Sequence, residues 1–145
     1  MYFQSEIYRD DLKNALNEAA GISKLYHKSI LITGATGLIG SFAADMLLYA
    51  NETKNAEIDI YLLARDESRL KERFASNTGK EKLHFVVQDV VKQLGLDIAV
   101  DYIIHAAGDG FPAAFRDHPV ETMTPALFGT YQLLQFAREN KPKKF

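Results

Sequence analysis

The stretch "SILITGATGLIGSF", residues 29 to 42, limits the fold more than any other part of the chain. An apolar run leads into three glycines at a spacing of three, Gly34, Gly37 and Gly40, and then into residues with helical spacing. A glycine triplet acquires meaning only between a strand and a helix, at the head of a strand–helix alternation. There, Gly34 lets the chain turn sharply after the strand. Gly37 removes a side chain where a pyrophosphate would approach the backbone, and Gly40 lets the helix pack close on the sheet. Unpaired N–H groups at the helix start, in the stretch Thr36, Gly37, Leu38, Ile39 and Gly40, then face an anion. A tight strand-to-helix turn that holds no ligand is the alternative. A P-loop fits less well, because no Gly-Lys-Ser or Gly-Lys-Thr closes the turn.

The required alternation follows. "SILIT" (29–33), "IDIYLLA" (58–64), "LHFVV" (83–87) and "DYIIHAA" (101–107) read as buried strands. Helical patterns run from Gly37 to about Ala50, through "DESRLKERFAS", briefly around "VVKQLG", and from Pro119 to Asn140, where Pro125 must start, kink or break the helix. Ahead of them, residues 6–20 bring Ile7, Leu12, Ala15, Leu16 and Ala19 close to one helical face, with Gly21 as a stop. The expected fold is α/β: a Rossmann-type parallel sheet of about four strands in the order 3-2-1-4 with flanking helices. Residues 1–5, "MYFQS", resemble the remnant of a cleavage tag and are set aside. Residues 6–28 form a leading helix and linker, and 29–145 the dinucleotide-binding domain.

At 145 residues, 47% hydrophobic and 25% charged, with a net charge of −2, the chain is about one domain. Its charge gives no reason to expect nucleic acid or an anionic membrane as partner. No apolar run reaches the eighteen or so residues of a membrane span. The absence of cysteine excludes disulfides and thiolate metal sites and suits a cytoplasmic protein. The histidines at 27, 84, 105 and 118 show no metal-ligand spacing. "KPKK" at 141–144 reads as a solvated tail, and His105 as a satisfied core histidine.

With the motif Thr33-Gly34-x-x-Gly37-x-x-Gly40, the pair Asp89-Val90 after the third strand, "HAAG" at 105–108 after the fourth, and "HPVETM...FGTYQLLQFAREN", the chain resembles the extended short-chain dehydrogenases/reductases. These are the NAD(P)-dependent nucleotide-sugar epimerases and dehydratases. Within them it looks most like sugar-nucleotide dehydratases and UDP-glucuronate decarboxylases. The resemblance implies that Asp89 and Val90 contact adenine, and that Ala106, Ala107 and Gly108 form a cofactor loop. Asp89 can equally cap the turn that follows it.

An NAD binder places an acid at the end of the second strand to bond the ribose 2′-hydroxyl. Here that place holds Ala64, followed by Arg65 and, one turn on, Arg69, either of which can pair with a 2′-phosphate. NADP is therefore expected over NAD. Asp66 taking the acid's role, with the arginines on a solvated face, is the alternative.

The family's acid/base pair, Tyr-x-x-x-Lys, is absent. The tyrosines at 2, 8, 26, 49, 61, 102 and 131 are followed four places on by Glu6, Leu12, Ile30, Thr53, Arg65, Ala106 and Gln135. Where the family usually carries Asn before Gly-Thr, this chain has Ala126 after Pro125. "KPKKF" falls where the family's fifth strand begins, so an incomplete domain without catalytic residues or a sugar-binding domain is expected. The nucleotide sugar would be the substrate of the intact parent. An NADP-sensing module and a carbonyl reductase of the same fold are the rival readings. An uncovered outer edge on the fourth strand would favour self-association through residues 101–140.

Overall fold

The computed structural model describes residues 2–108 and 110–145. Its centre is a parallel sheet of β1 (Ser29–Thr33), β2 (Asp59–Ala64), β3 (Leu83–Val87) and β4 (Tyr102–His105), in the order β3-β2-β1-β4. Thr33 pairs with Leu63 on one side and His105 on the other, so β1, β2 and β4 finish nearly level. That shared rim becomes the floor of the site.

Strand pleating divides the apolar residues between two cores. Ile30, Ile32, Ile60 and Leu62 face one side of the sheet, where they meet Leu12 and Leu16 of α1 (Glu6–Glu18), Leu47 and Leu48 of α2 (Leu38–Lys54), Leu70 of α3 (Glu67–Arg73), and Phe74. Leu31, Leu63 and Ile103 face the other side, under Leu133 and Phe136 of the C-terminal helix. Helices thus cover both faces, as a fully buried parallel sheet requires.

Several elements differ from the sequence expectation. In α1, Leu12 and Leu16 are buried but Ile7 is exposed. Five residues of helix rotate Ile7 about 140° from Leu12, and Tyr8, four residues before Leu12, faces inward instead. Phe3, within the segment set aside, is only 5% exposed and packs into the same core from a 3₁₀ turn at Tyr2–Gln4.

"VVKQLG" forms no helix. β-branched Val90 and Val91 are poor helix formers, and the segment makes one turn, with the Lys92 N–H on the Asp89 carbonyl, while Val90 and Leu94 lie buried against the sheet. The stretch 119–140 is helical and is interrupted at Pro125, as the proline requires. A short α4 (Pro112–Asp117) precedes α5 (Pro119–Thr124), a π turn at Pro125–Gly129 follows, and α6 (Thr130–Asn140) completes it. Pro125 has no N–H to donate, and its ring crowds the carbonyl four residues back. The wider turn accommodates both.

"KPKK" is not a solvated tail. Lys144 bridges to Tyr102 in parallel, with the Ile103 N–H on the Lys144 carbonyl at 3.1 Å and the Lys143 N–H on the Asp101 carbonyl at 2.7 Å. The Lys143 ammonium also pairs with the Asp101 carboxylate at 2.9 Å. The outer edge of β4 is therefore occupied at its start, contrary to the expectation of a wholly uncovered edge. No helix among the described residues is long and apolar enough to cross a membrane.

Candidate cofactor-binding cleft

Where the strands end, four loops enclose a cleft of about 270 Å³. Gly34, Thr36 and Gly37 contribute from the turn after β1; Leu63, Ala64, Arg65 and Arg69 from the end of β2 and the start of α3. Gln88, Asp89 and Val90 follow β3, Ala106, Ala107 and Gly108 follow β4, and Pro125 closes the wall. The carboxyl ends of the strands are where open α/β sheets bind ligands.

The three glycines carry separate constraints. Gly34 adopts φ +67°, and a Cβ there would stand 2.3 Å from the Ala106 carbonyl oxygen and 2.7 Å from the Ala107 nitrogen. A Cβ on Gly40 would stand 2.4 Å from the Gly34 carbonyl oxygen. All of these neighbours are backbone and cannot turn aside, so both glycines permit close packing, of β1's turn on β4's loop and of α2 on that turn. Gly40 is accordingly absent from the lining. Gly37 differs: its φ is −80°, and a Cβ would meet only the Gly34 carbonyl oxygen, at 3.3 Å, on an otherwise open side.

The first intrahelical bond of α2 runs from the Ser41 N–H to the Gly37 carbonyl. Leu38, Ile39 and Gly40 therefore have N–H groups with no acceptor in the helix. Their dipoles and that of a 17-residue helix are aligned toward the mouth of the cleft. The Leu38 and Ile39 side chains, 88% and 76% exposed, do not line it, so whatever these residues offer a ligand comes from the backbone.

Arg65 and Arg69 reach the cleft from beyond Ala64. Asp66 caps α3, its Oδ1 accepting the Arg69 N–H at 3.2 Å and its Oδ2 lying 3.7 Å from the Arg69 Nε. Asp89 is likewise engaged locally, its carboxylate accepting the Val91 N–H at 3.2 Å.

Beneath the cleft, buried Thr33 joins the loops after β1 and β4. Its hydroxyl accepts the Ala107 N–H at 3.2 Å and pairs with His105 Nδ1 at 2.7 Å. His105 is thus satisfied on one nitrogen only, since buried Nε2 has no partner within hydrogen-bond geometry among the described residues. Burial lowers the His105 pKa below its ordinary value, opposed by the Pro125 carbonyl. Gly129 packs against Val90 and His105, and a Cβ there would stand 3.0 Å from Val90 Cγ1 and 3.4 Å from His105 Cε1.

All the expected site residues except Leu38, Ile39 and Gly40 line one cleft. Sequence reasoning misses Leu63, Gln88, Pro125 and the Thr33–His105 pair. The Thr33–His105 partnership depends on the register between β1 and β4, which no local pattern encodes. The cleft brings together a glycine with space beside it, amide donors at the start of a long helix, and two cations.

Comparison with known proteins agrees with the fold. The profile of the NAD dependent epimerase/dehydratase family matches residues 30–145. UDP-glucuronic acid decarboxylase 1 of Danio rerio is 28% identical over 117 residues, covering 81% of this chain and 26% of the relative. UDP-glucose 4-epimerase of Rickettsia rickettsii (strain Sheila Smith) is 30% identical over 121 residues, covering 81% and 35%. The chain thus spans about a quarter to a third of these relatives. Among solved structures, DesIV, a dTDP-glucose 4,6-dehydratase from Streptomyces venezuelae with NAD and TYD bound, superposes with a TM-score of 0.66 at 24% identity, covering 79% of this chain and 37% of that one. On the family match and the fold together, the chain belongs to the NAD dependent epimerase/dehydratase family.

Proposed function

We propose that this chain is the cofactor-binding portion of a nucleotide-sugar epimerase, dehydratase or decarboxylase, and that it binds NADP in preference to NAD. The observation that carries the reading is the cleft at the strand ends, with glycines and free α2 amides at one end and Arg65 and Arg69 at the other. The α2 N-terminus would receive the pyrophosphate. Ala64 offers no carboxylate to a ribose 2′-hydroxyl, Asp66 is occupied as a helix cap, and the two arginines favour a 2′-phosphate. Asp89, Val90 and the loop 106–108 would enclose the adenosine and its ribose.

When bound, NADP supplies reversible hydride transfer. This chain's residues hold and orient it. No tyrosine here is followed four residues later by lysine, so the chain carries no acid/base pair of the family's kind, and we infer binding without turnover on nucleotide sugars. A cysteine-free chain suits a reducing, cytoplasmic setting.

Calorimetric titration of both cofactors at fixed salt tests the preference, because the contact is ionic and screened. A charged hydrogen bond at this partly exposed site corresponds to roughly tenfold tighter binding of NADP. Arg65→Ala should remove most of that difference and leave NAD affinity unchanged. Equal binding of NAD and NADP by the unsubstituted chain would refute the preference.

A further inference from the structure

Asp45, midway along α2, is fully buried although it is a carboxylate, and it lies outside the cleft. Its Oδ2 accepts two donors from two other helices: the Tyr8 hydroxyl of α1 at 2.8 Å and Arg73 Nη2, at the end of α3, at 2.5 Å. Its Oδ1 is buried without a partner among the described residues. Desolvating a carboxylate is expensive, and an apolar group of similar volume often serves stability as well. What an apolar group cannot do is fix two helices at defined points on a third.

The two partners lead to different parts of the molecule. α3 has only seven residues, begins next to Arg65 and carries Arg69, both of which line the cleft. It is held at its start by the Asp66 cap, along its length by Leu70, and at its end by Arg73. α1 lies outside the region matched by the family profile, and it docks through Leu12 and Leu16, the Arg9–Glu52 pair at 2.6 Å, and Tyr8. Burial, with the Asp45 carboxylate adding to it, pushes the Tyr8 hydroxyl up to about 12, so it remains a donor throughout the working pH range.

We propose that Asp45 is a positioning residue that couples the leading helix to the cleft: through Tyr8 and Arg73 it fixes α3, and with it the placement of Arg65 and Arg69 on the 2′-phosphate end of the dinucleotide. This rests on the cofactor reading above. Without the Tyr8 hydroxyl the carboxylate loses one of its two anchors and can rotate about its Cβ–Cγ bond. Arg73 follows it, and the short helix loses its fixed end.

The test pairs two measurements on the full chain. Hydrogen exchange, read without nucleotide, should show faster exchange of the amides of α3 in Tyr8→Phe, with β1 and β4 unchanged. In titrations, Tyr8→Phe should weaken NADP roughly two- to tenfold and leave NAD unaffected, and the effect should vanish in a background that carries both Arg65→Ala and Arg69→Ala. A purely structural role would weaken both cofactors equally and persist without the two arginines. Asp45→Asn should act in the same direction as Tyr8→Phe, and the milder Tyr8→Phe decides the matter if Asp45→Asn does not fold. Unchanged exchange in α3, or equal loss for NAD and NADP, overturns the proposal. If the unsubstituted chain binds neither cofactor, the cofactor reading fails and takes the selectivity half with it, while the exchange result still decides whether α1 and α3 are coupled.

Discussion

Gly34 and Gly37 sit three residues apart in one turn, yet their substitutions should fail differently. At Gly34 a methyl group meets backbone at 2.3 Å on a left-handed residue, and neither side can yield. Gly34→Ala should lower unfolding free energy by about 2 kcal/mol or more. Gly37→Ala has an ordinary φ and one 3.3 Å contact, so its stability should change by less than about 1 kcal/mol while cofactor affinity falls. Urea unfolding and calorimetry on the two variants check this; equal destabilisation would contradict it. His105 supplies a pH dependence at the same scale. Its folded pKa is lowered by burial, so the unfolded chain takes up the proton first as pH falls. The stability conferred by neutral His105 is complete above its unfolded value of about 6.5 and is lost as pH falls through that value toward the folded one. Urea midpoints measured from pH 7.5 to 5 should decline, and His105→Gln should flatten part of the decline.

The elements legible in the sequence are those fixed by local pattern. Apolar runs bounded by turn residues locate all four strands, and the Gly34–Gly40 spacing locates both the cleft and the start of α2. What local pattern misses is decided by tertiary contact. Val90 and Leu94 have helical spacing, but the sheet claims both and flattens the segment. Pro125 announces a break without saying that a π turn absorbs it, and Asp45, which accepts the Tyr8 hydroxyl, lies 37 residues away. A long-range clamp of another kind sets the entry to β2: the Asn51 side chain of α2 both donates to the Ile58 carbonyl and accepts its N–H, each at 2.8 Å. Asn51→Ala leaves both backbone groups unmatched in a partly buried place and should cost about 1–3 kcal/mol. Thermal unfolding of that variant beside Asn51→Asp, which retains the acceptor, would show whether one bond or both carry the effect.

For the whole molecule, the two faces of the sheet are unequal at the C-terminal side. Phe115, Val120, Met123, Leu127, Tyr131 and Leu134 are all at least half exposed along the helices from α4 to α6. The β4 edge beside them is paired only as far as Ile103. Exposed apolar surface with an open strand edge favours association. Light scattering after size exclusion should give a mass above the 16.3 kDa of one chain, rising with concentration, and Leu127→Glu with Leu134→Glu should return it toward one chain. A monomer at every concentration would contradict that expectation. Amide chemical-shift mapping of the ¹⁵N-labelled chain during NADP titration shows whether the strand-end cleft holds a dinucleotide. Saturable shifts are expected, concentrated at Gly34–Gly40, Arg65–Arg69 and Ala106–Gly108. Absence of saturable shifts, or shifts centred away from these three segments, would contradict it.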